Sequence, residues 1–469
     1  MKIKALAVVL SLAAVYLCMA ADPGQWPEWR GPSDNGIAPG DAPLEWSDTA
    51  NIKWKAAIPG RGHSSPVIWG DKIFLTTATP TNPEAAAAIN QGPRRRPGPP
   101  PGDGPPRGPG GPDGRPGRRP GGPGGPGGDN TPQIEHRFEV ICLDKNSGKI
   151  LWQRTALTAT PLEGYHRQYG SFASHSPITD GKTVIASFGS RGVYAYDLNG
   201  KQLWAKDLGF KARMKNAFGE GTAPALDGDT LILNYDAEEG SFIVALDKNT
   251  GNQLWRQDRK EISGWAMPLI TGYAGRKQVI VSATTRVRSY DLKTGKLLWE
   301  CAGLGANPIP TPIRQDDFVI VQTGFREPNM LAIKLGRDGD LTGSDAVMWS
   351  NTRGNSYTPS PVLHDNKLYM LTDNGTLSCL NAKTGAPYYQ QQRLPKPYSF
   401  KSSPVFAAGK LYMASEDSDV IVVKAGEKFE VLATNTLTGQ FFIATPAIVD
   451  GEIFLRGQNT LFCISDKRK

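Results

Sequence analysis

Short apolar runs alternate with polar turns along nearly the whole chain, and one such stretch recurs. ALDKNTGNQLW (245–255) joins an apolar run to a polar turn that ends in Gly and leads into Leu-Trp. CLDKNSGKILW (142–152), AYDLNGKQLW (195–204) and SYDLKTGKLLW (289–299) repeat it, and CLNAKTGAPYY (379–389) is a degraded copy. A second phrase precedes each copy: Ser, Thr or Ala, then Pro, an apolar residue, a Gly/Asp/Asn turn and an alternating apolar strand. Its prolines are Pro66, Pro177, Pro224, Pro268, Pro312, Pro361, Pro404 and Pro446. Alternation of period two between turn signals reads as strands, not helices. With residues 80–133 set aside, Ile52 to Ile464 gives about 45 residues per repeat, the size of a four-stranded propeller blade.

One blade then reads as a first strand starting at Pro, a tight turn such as Asp227-Gly228-Asp229, a second strand at 231–235, a third at 241–247, and a fourth ending at Trp255. The Asp of the Asp-x-x-Thr-Gly phrase bonds the amides that follow it, and Gly supplies positive φ. The phrase is turn chemistry, because a calcium loop needs more carboxylates at fixed spacing. One Trp per blade (Trp152, Trp204, Trp255, Trp299, Trp349) points to packing between neighbouring sheets. The last blade, from Pro446, has only three strands before the chain stops, while NIKWKAAI (51–58) is a fourth strand without the other three. Pairing them closes the ring and leaves no open edge. The expectation is an all-β, eight-bladed β-propeller over 51–469, closed by an N-terminal strand.

These phrases resemble the pyrroloquinoline-quinone (PQQ) repeat family of eight-bladed propellers across residues 50–465. The family includes quinoprotein alcohol and glucose dehydrogenases and the non-enzymatic outer-membrane assembly scaffold BamB. WPEWRGPSDNG (26–36), followed by GRGHSSPVIWGDKIFLTT (60–77), resembles a subgroup of exported bacterial proteins with this repeat. In the dehydrogenases the quinone lies between a Trp and a disulfide of adjacent cysteines, with calcium and an Asp base beside it. Here Cys18, Cys142, Cys301, Cys379 and Cys463 are never adjacent, and three of them share one repeat position. The repeat is specific for the fold and weak for activity.

Composition changes the picture at two places. Lys2 and Lys4 precede an apolar run ending near Ala20, which reads as a signal peptide over 1–21 and an exported protein of the periplasm or cell surface. The apolar run is too short to span a membrane, and no other segment is apolar enough. The net charge of +8 comes mostly from two segments: residues 92–128 hold seven Arg and two Asp among 28 Gly or Pro, and the leader holds the two lysines. The remainder is close to neutral, so nucleic acid is not an expected partner. The Pro/Gly/Arg-rich insert at 80–133 reads as a disordered loop between the second and third strands of blade one.

Chain direction sorts the loops. Residues before each Pro and the loops between second and third strands share one face, here called the pre-proline face. That face gathers the chemistry, and Arg61, His63, His166, His175, Arg191, Trp265, Arg286, Asn307, Arg326 and Tyr357 are the candidate ligand-binding residues. Arginines suit an anion and Trp265 suits a planar or sugar ring. No metal-ligand spacing, nucleophile motif or paired carboxylates stand out. The preferred reading is a monomeric binding or scaffold module for a small anionic or sugar-like ligand, or for a protein partner. The alternatives are a periplasmic PQQ- and calcium-dependent dehydrogenase and a carbohydrate- or cell-wall-binding module.

Overall fold

The computed structural model describes residues 24–84 and 134–466. The signal segment and most of the insert lie outside the described residues. Eight sheets, each built on four antiparallel strands and three of them carrying a fifth short strand, follow one another round an axis, so the protein is an eight-bladed β-propeller. Blade 3 shows the unit: Ala225–Asp227, Thr230–Tyr235, Phe242–Asp247 and Gln253–Asp258, paired in that order. Lys72–Pro80 and His136–Asp144 flank the insert as the second and third strands of blade 1.

Two details differ from the expectation. The first strands begin one residue after the proline, at Val67, Ile178 and Ala225 for example, so the missing N–H costs no ladder bond. The fourth strands run past Trp: Phe242 pairs with Asp258, three residues beyond Trp255. A register shift just after the Trp partner recurs, between Ala195 and Tyr196, Ala245 and Leu246, and Ser289 and Tyr290. Such a bulge bends the outer strand and re-aims its side chains.

The repeated eleven-residue phrase works across the joint between blades. Trp204 of blade 2 donates its Nε1–H to the Lys248 carbonyl of blade 3 at 2.7 Å. Its ring lies against Gly251, where an added Cβ would come within 2.7 Å of it. Trp152 meets Leu198 O and Gly200, Trp255 meets Leu292 O and Gly295, and Trp349 meets Ala382 O and Gly385 in the same way. Blade 4 departs from the rule. Trp299 is fully buried and donates to Gln278 of its own blade, while Tyr273 covers Gly336 of blade 5.

Ring closure uses the same device. Ile52–Ala57 pairs with Thr460–Ile464 as the outer strand of blade 8, with Trp54 opposite Cys463. Trp54 then donates to Lys145 O of blade 1 and packs on Gly148.

The residues before the prolines form a belt round the axis. The Thr311 amide donates to Ser360 Oγ, Ser360 to Ser403 Oγ, Ser403 to Thr445 Oγ1, Thr445 to Ser65 Oγ, and Ser65 to Ser176 Oγ, all at 2.9–3.1 Å. Each hydroxyl thereby satisfies an amide left unpaired where a strand starts. The belt stops at blades 3 and 4, whose corresponding residues are Ala223 and Met267.

Residues 24–46 cross the axis before the closing strand. Trp26, fully buried, pairs with Ile68 of blade 1, and Pro27 O accepts the Thr179 amide of blade 2. Arg30, also buried, donates to Pro361 O at 2.6 Å and Pro404 O at 3.3 Å, tying blades 6 and 7 together. Ile37–Ala38 then adds a parallel strand beside Phe406–Ala407 of blade 7.

Candidate functional site

On the pre-proline face the axis opens into a cup of roughly 200 Å³. Trp29 of the crossing segment lines it, with its Nε1–H held by Thr445 Oγ1 at 3.0 Å. Tyr169, Phe218, Trp265 and Tyr357 supply the other rings, and His63, Glu220 and Lys401 the titratable groups.

Each ring is fixed by the loop that carries it. The Trp265 amide donates to Pro308 O and its indole to Gly219 O, both at 2.9 Å, so the ring bridges blades 3, 4 and 5. Tyr357 stacks on Phe325 at 5.0 Å between centroids, and its amide donates to Asp373. Tyr169 stacks on His166 at 3.5 Å. The loop holding both extends from blade 2 to blade 7: Gln168 Nε2 donates to Glu416 at 3.2 Å, and Lys401 lies 5.0 Å over the Tyr169 ring. Arg61 braces this loop by donating to the Arg167 and Gln168 carbonyls, with its guanidinium over Tyr165.

The electrostatics follow from burial. His63 Nδ1 lies 3.0 Å from Tyr169 O, a pure acceptor, so Nδ1 carries a proton. Burial, then the charges of Arg61 and Arg456, pull its pKa down to about 3. Burial likewise pulls His175 down to about 4, and neither of its ring nitrogens has a partner among the described residues. Glu220 accepts the Ser190 amide at 2.8 Å, and burial pushes its carboxyl up to about 7. Lys401 Nζ is paired with Asp373 at 3.2 Å and Glu416 at 3.4 Å.

Of the candidates from the sequence, His63, Trp265 and Tyr357 line the cup, while Arg61 and His166 hold the loop that carries Tyr169. His175 and Arg191 line a smaller cavity of about 30 Å³ that also touches Glu220, and Arg191 donates to Thr160 O. Arg286 is paired with Asp340 and Glu300 at the outer edge of blade 4. Arg326 lies over Phe325, and Asn307 is buried with its amide on Thr284 Oγ1. None of His175, Arg191, Arg286, Asn307 or Arg326 lines the cup. Glu220 was legible on the pre-proline face but was not among the candidates, and Trp29 and Phe218 were not singled out. The Trp-rich WPEWRG ahead of the first blade was the available signal for Trp29.

This ring of eight blades, with a Trp of one blade on a Gly of the next at five of its joints, is that of a PQQ-repeat β-propeller. The chain belongs to the family described as outer membrane protein assembly factor BamB, whose model matches residues 136–391 and again 337–427. It is similar to BamB of Burkholderia pseudomallei (strain K96243), with 28% identity over 202 residues, 41% of this chain and 47% of that protein. It is also similar to a tetrathionate hydrolase of Acidithiobacillus ferrooxidans, with 23% identity over 67% of this chain and 66% of that one. The chain thus spans about half of the first relative's length and just under two thirds of the second's. Among solved structures, a europium-containing methanol dehydrogenase superposes with a TM-score of 0.61 at 11% identity, covering 93% of this chain and 91% of that one. At that identity the likeness shows the fold alone.

The cup does not fit the quinone of the family's dehydrogenases. Cys142, Cys301, Cys379 and Cys463 are free, buried within blades and absent from the lining, so no adjacent pair forms a platform. Lys401, the one Lys or Arg lining the cup, is already matched by two carboxylates. Among the described residues no cluster of His, Cys, Asp and Glu has metal-binding geometry.

Proposed function

We propose that this chain is an exported binding propeller that takes a small ligand into the axial cup without a catalytic step. One observation carries the reading: five aromatic rings from five separate segments converge on a single cup, with Trp29 of the crossing segment among them. Concave, mostly apolar sites with a few fixed polar groups are the usual form of small-ligand sites. A protein partner docked on the same face is the second reading, favoured by membership of a family described as an outer membrane assembly factor.

Thermal melting of wild type and Trp265→Ala against a panel of small ring and ammonium compounds tests the reading. A ligand at about a hundred times its Kd stabilises the fold by about 2.7 kcal/mol, and that gain should vanish in Trp265→Ala. The same protein incubated with calcium and PQQ is assayed for dye-linked alcohol and aldose oxidation. Turnover that disappears in Trp265→Ala would replace the binding reading with a dehydrogenase.

A further inference from the structure

We infer that the cup takes a small organic cation, a methylated ammonium or a protonated ring amine; the inference rests on the binding reading above.

An anion needs positive charge that no carboxylate already holds, and the one Lys or Arg lining the cup is Lys401. Both indole N–H groups are used, Trp29 on Thr445 and Trp265 on Gly219 O. Lys401 is held by Asp373 and Glu416, a group of one ammonium and two carboxylates. The candidate arginines Arg61, Arg191 and Arg286 do not line the cup: they bond backbone carbonyls, Thr160 O and Asp340, and the buried Arg456 near His63 is bonded to Ser64.

What the lining still offers is aromatic surface and negative charge. Trp29, Tyr169, Phe218, Trp265 and Tyr357 are all partly exposed, unlike the fully buried Trp26 and Trp299. Ring faces attract cations by about 0.5 to 2 kcal/mol each, and rings grouped round one site are the usual receptor for methylated ammonium groups. Lys401 Nζ, 5.0 Å over Tyr169, already shows one such contact at the cup. Glu220 lies in the wall, its carboxyl turned onto the Ser190 amide and against Gly189.

Glu220 also gives the site a pH dependence. It faces Glu163 and Arg191, His175, which shares its small cavity, Asp236 with its partner Arg259, and His63 and Lys401 in the cup. With its carboxyl raised to about 7, Glu220 ionises as pH rises through neutrality, and attraction for a cation rises with it.

Calorimetry on the full chain with choline, its uncharged carbon isostere dimethylbutanol, and benzene tricarboxylate tests this. Choline should bind roughly tenfold tighter than the isostere, with an advantage that grows as pH passes neutrality. Glu220→Gln should shrink that advantage and flatten its pH dependence while leaving dimethylbutanol unchanged. Phe218→Leu, which keeps apolar bulk but removes a ring, should lower choline affinity alone and serves if Glu220→Gln does not fold. A trimethylammonium group can arrive free or on a lipid headgroup. Flotation with phosphatidylcholine vesicles separates the two sources, and either supports the class. Equal affinity for choline and the isostere, or preference for the tricarboxylate, overturns the cation assignment and leaves the binding reading standing. No binding by any of the three also overturns the cation assignment, and the binding reading then rests on the compound panel above.

Discussion

Gly251 does two jobs at one atom. Its φ of +71° lies in the left-handed region, and the Trp204 ring occupies the place where a Cβ would stand. Gly228, at φ +58°, meets nothing within 4 Å. Alanine at either position costs about 1–2 kcal/mol of backbone strain. Gly251→Ala should cost clearly more, because the indole must also move off its blade-to-blade contact. Urea unfolding of the two variants measures the difference, and equal losses would show that Trp204 does not need Gly251. This pairing was half legible in the sequence. The Asp-x-x-Thr-Gly turn and the repeated Trp announced a turn and an inter-sheet contact. That one blade's Trp sits on the next blade's Gly was not legible, because the partners lie a full repeat apart. The belt hydroxyls were hidden for the same reason: Thr311 and Ser360 read alone are ordinary strand starts, and only the closed ring brings them within 3.0 Å.

Strands with strict alternation announced themselves, and so did closure, since three strands at one end and one at the other permit a single pairing. Ile52–Ala57 takes that place. Residues 24–46 have no periodicity, and only two short strands form within them, so their course across the axis could not be read. Their anchors are single residues: Trp26 in the core, Arg30 on two proline carbonyls, Trp46 on Asn435 Oδ1. Removing residues 22–58 takes away the outer strand of blade 8 and the Arg30 link between blades 6 and 7. It should lower the melting temperature by more than about 10 °C or abolish soluble expression, since an unpaired sheet edge is an aggregation template. A truncated protein that melts within about two degrees of the full chain would contradict this role.

A ring of near-identical blades makes an axis, and unlike loops on one face give that axis its chemistry. The pre-proline face was legible because chain direction fixes which loops share it. Its charge was not. Arginine codons mark positive residues but not their partners, and here Asp340, Thr160 O and the carbonyls of Arg167 and Gln168 take them up. What reaches the cup is aromatic, partly because a segment from outside the repeats delivers Trp29 there. The account therefore stands on where a ligand sits. A crystal structure of the full chain, grown with a compound that raises its melting temperature, reads this directly. The prediction is ligand density within the cup, in contact with Trp29, Trp265 and Tyr357. Density on the opposite face, or between blades with the cup filled only by water at saturating ligand, would contradict it.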